Sequence, residues 1–179
     1  APRKEVLKDI DALIEYAQEF YPGVPIVMYG HSMGGNITLD YRARGGHNDV
    51  PAGYIISAPW IRLVRPVSGG LLKAVKLLTK IAPNFKIKSE FPEEKLGNVE
   101  YVRPYKKDPM VHPYATALCA YEGFTIGTAL EKGMNEDNGR AKHTPCLLMH
   151  GTKDLICDIQ GSREFAKLQE PESFTMTEW

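Results

Sequence analysis

VPIVMYGHSMGGNITLDYRAR, residues 24–44, sets a serine between glycines where an apolar run gives way to a helical pattern. Ile26 to Tyr29 is short, continuous and apolar, the pattern of a strand buried on both faces. Asn36 to Arg44 carries Ile37, Leu39 and Tyr41 at helical spacing, and Gly45 and Gly46 stop it. The turn between them, GHSMGG, has the form G-x-S-x-G. A serine hydroxyl is a weak nucleophile until a base takes its proton, and the carbonyl it attacks needs donors for its developing oxyanion. A hard strand-to-helix turn serves both needs: it lifts Ser32 clear of the sheet and aims backbone N–H groups, that of Met33 among them, at the site. Gly30 and Gly34 are expected to be glycine because a Cβ at either would strike neighbouring backbone. A phosphate-cradling βα turn is the rival reading. It lacks the lysine of a P-loop and the spacing of a dinucleotide fingerprint.

Working outward, Lys4 to Tyr21 repeats Val6, Leu7, Ile10, Leu13, Ile14, Ala17 and Phe20 on one helical face. Ala52 to Ala58 and Thr144 to His150 are further apolar strands, a helix spans about Ile159 to Leu168, and Ser173 to Trp179 forms a last strand. Strand and helix in alternation predict an α/β fold: a parallel sheet with helices on both faces. Trp60 to His143 is too long for a simple crossover and is expected to be an insertion with its own structure. Within it, Leu71 to Ala82 places Leu71, Leu72, Val75 and Leu78 away from Lys73, Lys76 and Lys80, and a second helix is predicted over Tyr114 to Lys132. The organisation is thus a core in two parts, 1–59 and 144–179, around an inserted segment, 60–143.

A serine nucleophile needs an acid to orient its base, and in enzymes with this elbow the acid follows on a loop after a later strand. Asp154 in HGTKD, residues 150–154, meets that condition. Asp158 competes, but it stands where a helix N-cap is expected, while Asp108 and Asp137 belong to the insertion.

GHSMGG, the DPMVH of residues 108–112 and the HGTKDLICD of residues 150–158 together resemble the monoglyceride lipase and lysophospholipase branch of the α/β-hydrolases, of the serine aminopeptidase S33 type. The resemblance implies an α/β-hydrolase fold in which 60–143 is a mostly helical cap. It makes Ser32 the nucleophile, Asp154 the acid and the Met33 N–H an oxyanion donor. The implied reaction is hydrolysis of carboxylic esters of monoacyl lipids through an acyl-enzyme, with no metal or organic cofactor.

The family also uses a histidine after the acid and a His-Gly loop before the nucleophile strand, and neither is present in these 179 residues. His31 adjoins Ser32 too closely to be its base, His150 ends the strand before the acid, and His47, His112 and His143 lie on a loop or in the insertion. The expectation is therefore an internal fragment of a complete hydrolase, inactive alone. A catalytically inactive binding module of the same fold is the rival from another class, and a peptidase or thioesterase shares the same elbow and acid.

Charge adds exclusions. The 22 basic and 22 acidic side chains cancel, so nothing points to nucleic acid. Cys119, Cys146 and Cys157 have no metal-ligand spacing and read as reduced thiols, which favours a cytosolic or peripheral-membrane setting. The apolar stripe of Leu71 to Ala82, flanked by lysines, suits a membrane surface and equally suits packing on the insertion's own core.

Overall fold

A computed structural model describes all residues except 1, 89–91, 93–94, 98–99, 101–107, 134–140 and 142. Its elements are α1 (Arg3–Phe20), β1 (Val27–His31), α2 (Met33–Arg44), β2 (Gly53–Ser57), α3 (Gly69–Ile81), β3 (Lys86–Lys88), β4 (Tyr114–Thr116), α4 (Ala117–Glu131), β5 (Cys146–His150), α5 (Ile159–Ala166) and β6 (Phe174–Glu178). Strands β1, β2, β5 and β6 form one parallel sheet in that order, so Met28 pairs with Tyr54, Tyr54 with Cys146 and Cys146 with Phe174. Parallel neighbours bring their carboxyl ends to one edge, where open α/β sheets bind ligands. His31, Ser57 and His150 end their strands there.

The sheet is covered on one face. Tyr54, Ile56, Cys146, Leu148 and Phe174 alternate onto the buried side and pack with Leu7 and Ile14 of α1, Leu39 and Tyr41 of α2, Ile126 and Leu130 of α4, and Phe165 of α5. Their neighbours point the other way, and Val27 and Tyr29 are 54% and 63% exposed. A depression of about 360 Å³ crosses this second face between Val27, Ile55, Leu147 and Thr175. Helices on both faces were expected from the continuous apolar strands; among the described residues they lie on one. Apolar composition records which faces favour burial, not which of them this stretch of chain covers.

Two boundaries also differ from the sequence reading. Tyr114 to Thr116 is a strand, paired antiparallel with Lys86 to Lys88, and the helix expected from Tyr114 starts at Ala117. Thr116 sets that start, since its hydroxyl accepts from the Cys119 N–H at 3.2 Å as an N-cap. Three-residue strands are too short to show a period of two. Helix α2 begins at Met33, earlier than its apolar spacing indicated, because the chain turns into the helix at Ser32 itself.

No side chain of α3 is buried: Leu72, Val75 and Leu78 are half covered, and Leu71, Leu77 and Ile81 are exposed at 55%, 61% and 76%. Among the described residues no helix is long and apolar enough to cross a membrane.

Candidate active site

Ser32 has φ 53° and ψ −115°, a left-handed conformation that costs a non-glycine residue of order 1–3 kcal/mol and persists only where the surroundings enforce it. Here both of its peptide groups are held. Its N–H donates to the Ser57 carbonyl at 3.0 Å, and its carbonyl accepts from Asn36 N–H at 3.1 Å and Trp60 N–H at 2.9 Å. The turn delivers the side chain to the mouth of the sheet and leaves the first amides of α2, beginning with Met33, without acceptors inside the helix.

The glycines divide differently from expectation. A Cβ on Gly30 would strike the Thr38 hydroxyl and come within 2.5 Å of the Gly34 carbonyl oxygen, so Gly30 is sterically required. At Gly34 a Cβ meets nothing within 4 Å, which corrects the collision expected there. Gly35 takes that role, since its Cβ would lie 2.9 Å from Pro59. The difference is one of helix face: residue 35 turns toward the segment after β2, and residue 34 turns away.

Asp154 begins the loop beyond β5. Its Oδ1 accepts from the Ile156 and Cys157 amides at 2.8 and 2.9 Å, and its Oδ2 lies 3.5 Å from His150 Nε2. Burial alone would raise this carboxyl, but hydrogen bonding from His150 and the two amides outweighs it and holds Asp154 below the ordinary carboxylate value. Asp158 is the N-cap of α5, accepting from Gln160 N–H at 2.9 Å, with its other oxygen 3.3 Å from Arg62. Asp108 turns back on its own loop to accept from Met110 N–H, and Asp137 lies outside the described residues.

Ser32 and Asp154 share one cavity of about 600 Å³, lined also by His31, Lys95, Cys157 and Trp179. Cys157 lines the same cavity as Ser32 and is its thiol neighbour there. Burial, reinforced by Asp154, pushes that thiol up to about 12, so Cys157 is protonated at neutral pH and cannot take the serine proton. Nor does a described histidine do so. His31 contacts Ser57 Oγ at 3.2 Å, His47 pairs with Glu15 at 2.8 Å, the His112 ring accepts from Tyr114 N–H, and His143 is exposed. His150 is wholly buried, with Nδ1 2.8 Å from Ser162 Oγ and Nε2 3.2 Å from the Cys157 carbonyl. A carbonyl and a carboxylate accept only, which assigns a proton to Nε2, and the Ser162 hydroxyl completes the bonding at Nδ1. His150 thus supports the acid loop from beneath. Sequence reasoning passed over this pairing, as it did Cys157 and Asn36; only the repeat of polar residues at 150, 154, 158 and 162 hinted at it.

The chain as a whole is similar to known hydrolases. The family described as serine aminopeptidase, S33, matches residues 2–177. The monoacylglycerol lipase of Mycolicibacterium smegmatis is 32% identical over 162 residues, covering 89% of this chain and 55% of that protein. The monoglyceride lipase of Homo sapiens is 30% identical over 174 residues, covering 93% and 53%. A solved soluble variant of the Saccharomyces cerevisiae monoglyceride lipase, in complex with a substrate analog, gives a TM-score of 0.81 at 26% identity over 98% of this chain and 59% of that one. The chain spans about half the length of the curated relatives it matches. A match that runs from residue 2 to residue 177, through both the strained turn and the carboxylate loop, means that the chain belongs to the serine aminopeptidase S33 family of α/β-hydrolases.

Proposed function

We propose that the protein carrying this chain is a serine esterase that hydrolyses monoacyl lipid esters, monoacylglycerol foremost. The observation that carries the reading is the shared cavity: a strained serine at the end of β1 and a carboxylate held ionised after β5 line the same 600 Å³. Ser32 Oγ attacks the ester carbonyl, the Met33 N–H stabilises the oxyanion, and the glycerol leaves with the proton that a histidine took from Ser32. Water then releases the fatty acid by the same steps in reverse roles. Asp154 orients and stabilises that histidine, a role no described histidine is placed to fill. The Trp179 carbonyl accepts from both the N–H and the hydroxyl of Thr152, which holds β6 in the cavity wall beside Asp154. Segment 60–143 serves as the cap, and α3, with Leu71, Leu77 and Ile81 exposed among lysines, is its lipid-facing surface.

The test is labelling by a fluorophosphonate probe, with turnover of 1-oleoylglycerol, in the complete protein and in residues 1–179 alone. We expect labelling and turnover in the complete protein, lost in Ser32→Ala, and neither in the shorter chain. A complete protein that folds, keeps Ser32 and stays unlabelled is an inactive binding module.

A further inference from the structure

Asn36 stands in the first turn of α2, four residues after Ser32, with no side-chain surface exposed. Asparagine is a poor helix former, and a buried amide is costly unless its bonds are made. Here they are. Nδ2 donates to the Trp60 carbonyl at 2.8 Å and to the Gly123 carbonyl of α4 at 3.2 Å, and Oδ1 accepts from the Arg3 guanidinium. These bonds close a circuit around the strained serine. Trp60, whose carbonyl Asn36 grips, donates its own N–H to the Ser32 carbonyl, and the Asn36 N–H reaches that same oxygen.

Helix α4 comes to this point as closely as backbone permits. A Cβ at Gly123 would lie 2.8 Å from the Trp60 ring, and one at Gly127 would strike the Ile61 carbonyl oxygen. Cys119, one turn earlier, meets the Met33 side chain with its sulfur 3.6 Å from the Met33 sulfur. So a helix of the proposed cap is bonded to the nucleophile turn through the Asn36 side chain, with the Cys119–Met33 contact beside it.

We infer that Asn36 is a positioning residue that ties α4 to the Ser32 turn, so that the seating of the cap and the geometry of the nucleophile are set together. This rests on the reading of Ser32 as nucleophile. Strain at Ser32 requires enforcement, and Asn36 fastens one of the two donors on its carbonyl. The two N–H groups, not the oxygen, do this work.

The experiment compares Asn36→Asp, which keeps size and the acceptor for Arg3 but removes both donors, with Arg3→Ala, which keeps the donors. Both are made in the complete protein. For Asn36→Asp we expect kcat and the rate of fluorophosphonate labelling to fall on the order of 10- to 100-fold, with KM for 1-oleoylglycerol nearly unchanged, as small displacements of a reacting group do. Arg3→Ala should stay within about threefold of wild type, although it removes a buried partner. Wild-type rates in a folded Asn36→Asp protein overturn the inference. A wild type that is not labelled sinks the nucleophile reading instead. Scalar couplings across hydrogen bonds from Asn36 Nδ2 to the Trp60 and Gly123 carbonyl carbons in the wild-type protein then decide the strut, as they do if the variant fails to fold; their absence overturns it.

Discussion

His150 Nε2 lies 3.5 Å from Asp154 Oδ2, on a ring that is wholly buried and bonded at both nitrogens. One carboxylate oxygen is therefore spent on loop amides, and the other is shared between His150 and the cavity. That division separates the two aspartates of the loop. Asp154→Asn in the complete protein should lower kcat for 1-oleoylglycerol by about 10⁴-fold, the scale seen when a triad acid loses its charge. Asp158→Ala should cost roughly 1 kcal/mol in a urea melt, as a lost N-cap, and leave kcat within a few fold. The reverse ranking would move the acid to Asp158.

The depressed Asp154 carboxyl also fixes a direction for acid stability. An unfolded aspartate titrates near about 3.9, and the folded group lies lower, so on acidification the unfolded chain takes the proton first. Its stabilising contribution is complete above about pH 5, shrinks below about pH 4 and vanishes once pH passes the folded value. Urea midpoints of wild type and Asp154→Asn should differ by a constant amount between pH 5 and 7 and converge below about pH 4. A gap that widened toward acid would contradict the assigned hydrogen bonds.

The glycine assignments predict opposite signs within one turn. Gly30→Ala and Gly35→Ala force a Cβ against backbone or Pro59 and should destabilise by about 1–3 kcal/mol. Gly34→Ala points into open space on a helix and should be neutral or stabilising by up to about 1 kcal/mol. Thermal melts of the three variants rank them directly.

Lipid contact through α3 makes a fourth expectation. Leu77→Glu and Ile81→Glu place charge on the exposed stripe and should weaken co-sedimentation with anionic phosphatidylglycerol vesicles by at least about tenfold. Turnover of a short soluble ester should not change. Unaltered sedimentation would assign the stripe to protein packing.

Much of this was legible from residues 24–44 and 144–158 alone. Long periodic stretches such as Lys4 to Tyr21 announce their helix, and a G-x-S-x-G between strand and helix announces its serine, because each signal is local. What escaped depends on contacts distant in sequence. Asn36 meets Gly123 across 87 positions, and nothing near Asn36 foretells that carbonyl. That Gly30 and Gly35 are sterically required and Gly34 is not depends on Thr38 and Pro59 rather than on the motif. The pairing of Lys86 to Lys88 with Tyr114 to Thr116 is a short ladder between strands of three residues, below the length at which alternation can be seen.

The open flank of the sheet separates two engineering problems that are normally tangled. Ser32 is held at the carboxyl edge of the sheet by Ser57, Asn36 and Trp60, and the imidazole beneath Asp154 lies on the flank that α1, α2, α4 and α5 cover. Val27, Tyr29, Ile55 and Leu147 face away from it. Polar replacements there can be used to keep the chain in solution for crystallisation or spectroscopy without touching the residues that line the cavity of Ser32 and Asp154.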